Sequence, residues 1–282
     1  MSSATPPLPR RGGWPRPVRQ WLVVALTLTA LSALPALPAL ALNPFEFEVY
    51  PYATEGPGMV ELEWLQSFVP KGHAADRDTA ASNHIYRSSF ELTYGLTDRI
   101  EAAAYLDLGK PSGHSFDYAG SRYRLRGRLF EQGELPVDLG WYAELEWRKR
   151  PRFGDQDLEA DLRPIIERDF GRFSIELNPI FEKALAGPGQ NKGFEFSYAA
   201  KLAWRWRERL SPGVEFYGDI GHIDDSDPLT RQQHYVFPVV DIKLPHSLAL
   251  NLGVGVGLTR GSDQVITKVN LELEHFVGAL FE

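Results

Sequence analysis

Four arginines recur at every second position, Arg122, Arg124, Arg126 and Arg128, separated by Tyr123, Leu125 and Gly127. A period of two places them all on one face of a β-strand. The segments on either side carry carboxylates at the same period: Glu101 and Asp107 before the stripe, Asp138, Glu144 and Glu146 after it. Paired with those acids, the stripe is a structural ladder filling an enclosed space, since paired buried charges are the only cheap ones. Facing water, it is an anion-attracting constriction, because rows of charge set the selectivity of a pore. Gly253, Gly255 and Gly257 bear on the choice. They leave one strand face almost bare, so long arginines opposite them either leave an eccentric channel or fill it.

Other groups capable of chemistry are scattered. His222-Ile223-Asp224-Asp225-Ser226-Asp227 packs three carboxylates and an imidazole into one loop. Oxygen-rich loops hold Ca²⁺, but this one lacks the spacing of a known calcium loop and reads as a solvated acidic tip. His73, Asp76, Asp78 and His114 sit on further loops, and the seven histidines form no zinc pattern. Ser88 and His275 are the serine and histidine available for hydrolytic chemistry on an outward face, and no nucleophile elbow surrounds either. The expectation is a protein that is not an enzyme, with no catalytic residues, no metal site and no cofactor.

The elements that carry these residues alternate almost throughout. In Gly193–Glu208, Phe194, Phe196, Tyr198, Ala200, Leu202, Trp204 and Trp206 oppose Glu195, Ser197, Lys201, Arg205 and Arg207. About twelve such strands are legible between residues 59 and 282, an even number. Connections alternate in length. Short ones fall near Thr97-Asp98, Gln132-Gly133-Glu134, Phe170-Gly171, Arg209-Leu210-Ser211 and Pro245-His246, with longer polar ones between them. Short turns on one rim and long loops on the other are the pattern of outer-membrane barrels. The charged inner faces of a soluble sandwich could not bury against each other. A barrel turns its apolar face to lipid, its charged face inward, and leaves no edge. The fold expected is all-β, a transmembrane antiparallel up-and-down β-barrel of about twelve strands.

Residues 1–41 read as a signal peptide. Arg10, Arg11, Arg16 and Arg19 form a basic region, Trp21–Leu40 an apolar one, and Ala39-Leu40-Ala41 a cleavage site. Residues 42–58, broken by Pro44, Pro51 and Pro57, read as a periplasmic N-terminal segment. The formal charge of −7 becomes −11 once the four leader arginines are removed. So acidic a chain is a poor nucleic-acid binder. The absence of cysteine excludes disulfides and cysteine chemistry. The C-terminal Phe276 and Phe281 suit the aromatic signal of barrel assembly, although Glu282 follows.

The architecture resembles Gram-negative outer-membrane β-barrels as a class. Tyr94-Gly95-Leu96-Thr97-Asp98-Arg99-Ile100-Glu101 is similar to a hairpin of the transporter-type barrels labelled for the phenol meta-cleavage pathway. That resemblance implies the fold and a passive channel, with no substrate. Outer-membrane lipids, periplasmic chaperones and the barrel-assembly machinery are then the partners, with small solutes or ions if the lumen is open. The alternative is a closed structural or surface-interaction barrel.

Overall fold

The computed structural model describes residues 43–73, 81–148, 158–187 and 189–273. The leader, Asp76, Asp78, the β5–β6 connection, His275, Phe276 and Phe281 lie outside them. The strands of the first half are β1 (Val60–Lys71), β2 (Tyr86–Gly95), β3 (Ile100–Lys110), β4 (Asp117–Arg128), β5 (Asp138–Arg148) and β6 (Leu158–Phe170). Those of the second half are β7 (Phe173–Ala186), β8 (Glu195–Trp204), β9 (Leu210–His222), β10 (Gln233–Lys243), β11 (Leu248–Gly257) and β12 (Val265–Leu273). Each pairs antiparallel with its neighbours in sequence, and β1 pairs with β12 to close the barrel. Closure satisfies every strand edge, which a sheet in hydrocarbon requires.

The alternation fixes which face is which, and it inverts the soluble pattern. On β3, Glu101 and Asp107 are buried in the lumen while Leu106 faces out. Leu92 on β2 is 51% exposed, whereas Arg122 on β4 is fully buried. An apolar exterior around a charged interior is stable only where the exterior meets lipid. Aromatic residues gather toward the short-turn rim, where Phe173 stacks on Trp204 and Trp204 packs on Trp206. That placement matches the interfacial girdle of such barrels.

Two local expectations are revised. The Gly193–Glu208 run is not one strand to its end: β8 stops at Trp204. The Arg205 amide then donates to the Arg172 carbonyl, and Arg207 bridges back to Leu210, so the chain turns two residues after the last lipid-facing tryptophan of the strand. The β4–β5 turn, expected at Gln132-Gly133-Glu134, extends from Leu129 to Val137. There the Gly133 amide donates to Asp138 and the Phe130 carbonyl accepts from Tyr52, so the extra length folds over the barrel mouth.

Leu106 sits at the middle of β3 and Leu202 near the short-rim end of β8. The cost of a lipid-facing charge depends on depth. Leu106→Arg is expected to cost about 2–4 kcal/mol of unfolding free energy in lipid vesicles, and Leu202→Arg clearly less. Equal, negligible costs would mean these faces do not meet hydrocarbon.

Candidate functional site

The lumen is the candidate site, and it is filled. Residues Asn43 to Tyr52, expected outside the barrel on its periplasmic side, run inside it instead. Phe45, Glu46, Phe47, Val49, Tyr50 and Tyr52 are all buried. The physical reason lies in their own alternation. Phe45, Phe47 and Val49 face an apolar cluster made by Val69, Ile85, Tyr217, Tyr235, Phe237, Val239 and Ile266. Phe47 packs edge-on against Tyr217 at 5.4 Å and against Phe237 at 5.1 Å between ring centroids. On the opposite side, Glu46 and Tyr50 face the arginines.

With Pro44 and Pro51 in it the segment does not join the sheet, so its backbone groups are satisfied by wall side chains. The Tyr50 amide donates to Asn178 Oδ1 at 2.7 Å, and Asn178 Nδ2 returns a bond to the Tyr50 carbonyl at 3.1 Å. Lys268 Nζ donates to the Phe47 carbonyl at 2.9 Å. The Tyr52 amide donates to Glu167 and the Glu55 amide to Glu101, each at 2.7 Å. At the rim, Gly95 lets the segment in. A Cβ there would lie 1.8 Å from the Gly56 carbonyl oxygen, and the Gly58 amide donates to the Gly95 carbonyl at 2.8 Å. The rim itself holds a cleft of about 280 Å³ lined by Tyr52, Thr54, Gly56, Asp98, Arg128 and Glu167.

The arginine stripe is brought together with most of the expected carboxylates. Arg122 contacts Asp107 at 3.2 Å and Glu144 at 3.6 Å, and it pairs with Glu46 of the inserted segment. Glu46 also pairs with Arg163 of β6, so one carboxylate joins two opposed guanidinium groups. Arg124 reaches Glu91 at 2.8 Å and Glu101 at 2.6 Å, and Arg126 reaches Glu101 at 2.7 Å. Aromatic faces complete the cage, with Arg122 over Tyr105 at 3.9 Å and Arg163 over Tyr142 at 4.3 Å. Glu146 binds Arg148 instead, at 2.7 Å, and accepts from Asn43 at 3.3 Å. Arg128 is set apart at the rim, bonded to the Asp98 carbonyl and 3.6 Å from Glu131.

Gly253, Gly255 and Gly257 do not face the stripe across an open channel. A Cβ on Gly255 would meet the Phe237 ring at 2.2 Å, one on Gly253 would meet Val239 at 2.9 Å, and one on Gly257 the Asp263 carbonyl at 2.2 Å. Inward residues of neighbouring β10 occupy the space beside Gly253 and Gly255, and the chain at Ser262 and Asp263 occupies that beside Gly257. Two signals could have revealed this from the sequence. The run Phe45-Glu46-Phe47-Glu48-Val49-Tyr50 has the same period as the strands, and β10 is apolar on both faces. The loop histidine and acids are tied down in part: His222 Nε2 lies 3.3 Å from Glu195, and burial raises the Asp227 carboxyl above its usual range. Ser88 accepts from the Trp64 indole at 2.7 Å and is buried beneath it.

Breaking a buried pair leaves an uncompensated charge, whereas an exposed pair is worth little. Arg122→Ala is therefore expected to cost about 3–5 kcal/mol of unfolding free energy, read by tryptophan fluorescence in urea. Arg128→Ala is expected to cost less than about 1 kcal/mol. Equal costs would contradict the placement of Arg122 at the centre of the network.

No family model and no curated protein matches the chain. Solved structures do. The COG4313 outer membrane channel from Pseudomonas putida F1 is similar over 80% of this chain and 100% of its own, at 14% identity and a TM-score of 0.55. A KdgM porin is similar over 76% and 98%, at 8% identity and a TM-score of 0.50. An outer membrane phospholipase from Salmonella typhi also matches, at 13% identity and a TM-score of 0.43, over 82% of this chain and 93% of its own. At such identities the likeness to the channel and the porin concerns the fold, and it agrees with the closed sheet described above. The chain has the fold of the outer-membrane β-barrels.

Proposed function

We propose that this protein is a passive outer-membrane channel whose resting state is closed by its own N-terminal segment. The observation that carries the reading is the seating of Asn43–Tyr52 in the lumen. Among the described residues, wall side chains hold its backbone, and the segment is not one of the strands of the sheet. A segment held this way leaves and returns without opening the wall. The similarity to a channel and a porin supports the same reading. Buried carboxylates outnumber buried cations, so a lumen vacated by the segment favours cations over anions. The stripe then acts mainly as the socket for Glu46. The protein sits among outer-membrane lipids after export, and reaches them through periplasmic chaperones and the assembly machinery. Small ions or solutes are its cargo.

A second reading is a closed structural barrel, favoured by the completeness of the Glu46–Arg122–Arg163 junction. Planar-bilayer recording of the full mature chain separates the two. Brief, rare steps are expected for the wild type, with open probability rising about tenfold or more in Glu46→Ala, which frees one end of the junction. Gly95→Val, which blocks entry at the rim without touching a charge, is expected to act likewise. In a salt gradient the open state is expected to prefer cations. Silence of all three proteins, each shown to be folded, would favour the closed barrel.

A further inference from the structure

Like charges placed directly opposite on adjacent strands repel. The register nevertheless sets Glu272, Glu63 and Glu91 side by side across β12, β1 and β2, all toward the lumen. Glu48 of the inserted segment comes down over this row. One carboxylate oxygen each from Glu48, Glu63 and Glu91 lie within 4.8 Å of one another. Glu63 is 6% exposed and Glu91 1%. Glu91 Oε1 is taken by Arg124 at 2.8 Å and Thr93 at 2.7 Å, but Glu91 Oε2 and Glu48 Oε2 have no hydrogen-bond partner among the described residues. The residues paired with Glu63 on either side and the one lying over it, Glu272, Glu91 and Glu48, are all carboxylates. Arg124, which reaches Glu91, and its neighbour Arg126 are both shared with Glu101.

Buried carboxylates with orphaned oxygens need a positive partner. We propose that Glu48, Glu63 and Glu91 bind a divalent metal ion of the Ca²⁺ class, which fastens the inserted segment to the barrel wall. The donor set is all oxygen, which selects a hard cation. Ca²⁺ is favoured over Mg²⁺ because it accepts an irregular cage of protein carboxylates, whereas Mg²⁺ demands near-ideal octahedral geometry and keeps several of its waters. Because Glu48 comes from the segment and the other two from the wall, the ion adds to the closed state alone. The site rests on where the segment lies and not on conduction, so a silent bilayer would leave it standing.

The test is Ca²⁺ binding by the full mature chain in detergent, stripped with chelator and followed by calorimetric titration and thermal unfolding. Saturable uptake of Ca²⁺ and a rise in melting temperature are expected. Affinity is expected to fall about tenfold or more in Glu63→Gln and in Glu48→Gln, and to stay unchanged in the exposed rim variant Glu134→Gln. Glu48 belongs to no strand, so Glu48→Gln carries the test if Glu63→Gln fails to fold. No uptake by the wild type at millimolar Ca²⁺, with the two Gln variants melting higher whatever the ion, would overturn the proposal and leave protons as the neutralising charge. Binding of unchanged affinity in both Gln variants would overturn it too, by locating the ion elsewhere.

Discussion

The junction of Glu46 with Arg122 and Arg163 is the constraint on which the interior depends. Twelve strands with an apolar exterior force their charged residues into a space with little water, and each such charge must find an opposite one. The wall supplies a partner to each arginine, Asp107 to Arg122 and Asp161 to Arg163, and the inserted segment adds a shared third. Arg122 and Arg163 stand on β4 and β6, and the carboxylate between them comes from a segment that belongs to neither. Bridging and filling are thus one event: the residue that joins the two arginines also draws Phe47 onto the aromatic cluster of β9 and β10.

Segment and wall are complementary along most of their contact, Glu48 over Glu63 and Glu91 being the exception. Its apolar side meets an apolar patch, its acidic side meets guanidinium groups, and its backbone meets Asn178, Lys268 and Glu167. The same fit explains the glycine of the Tyr94–Glu101 hairpin. Gly95 is small because the incoming backbone crosses it at the rim, a demand stronger than the turn chemistry of Thr97 and Asp98 next to it. Side-chain anchoring also gives the plug a different stability from the barrel. Ladder hydrogen bonds hold the wall, while a handful of ion pairs and aromatic contacts hold the segment.

Much of the barrel was legible in the sequence, because lipid outside and charge inside leave a period of two in nearly every strand. Even so, Arg205–Glu208 continued the pattern past the true end of β8, since a turn lined with Trp206 and Arg207 carries the same residue types as the strand. The interior was harder to read. Alternation says that Arg122 and Glu144 point inward, but not what stands between them. Phe45, Phe47 and Val49 alternate like a strand, while Pro44 and Pro51 argue against one, and only a chain lying alone inside a barrel satisfies both. The glycines of β11 left channel and filling both open, because their own strand supplies nothing there; the filling comes from Phe237 and Val239 on the next strand and, at Gly257, from Ser262 and Asp263. Periodicity assigns faces, and contacts across the lumen depend on a third dimension that it does not encode.

The N-terminal segment lies inside the barrel, and the absence of native cysteine makes that placement directly measurable. A single cysteine at Val49, buried against the apolar cluster, would be challenged in folded protein with a bulky water-soluble thiol reagent, beside a single cysteine at the exposed Glu134. The account expects Glu134→Cys to react at once and Val49→Cys to be protected until the protein is unfolded. Equal, rapid labelling at both positions would contradict it.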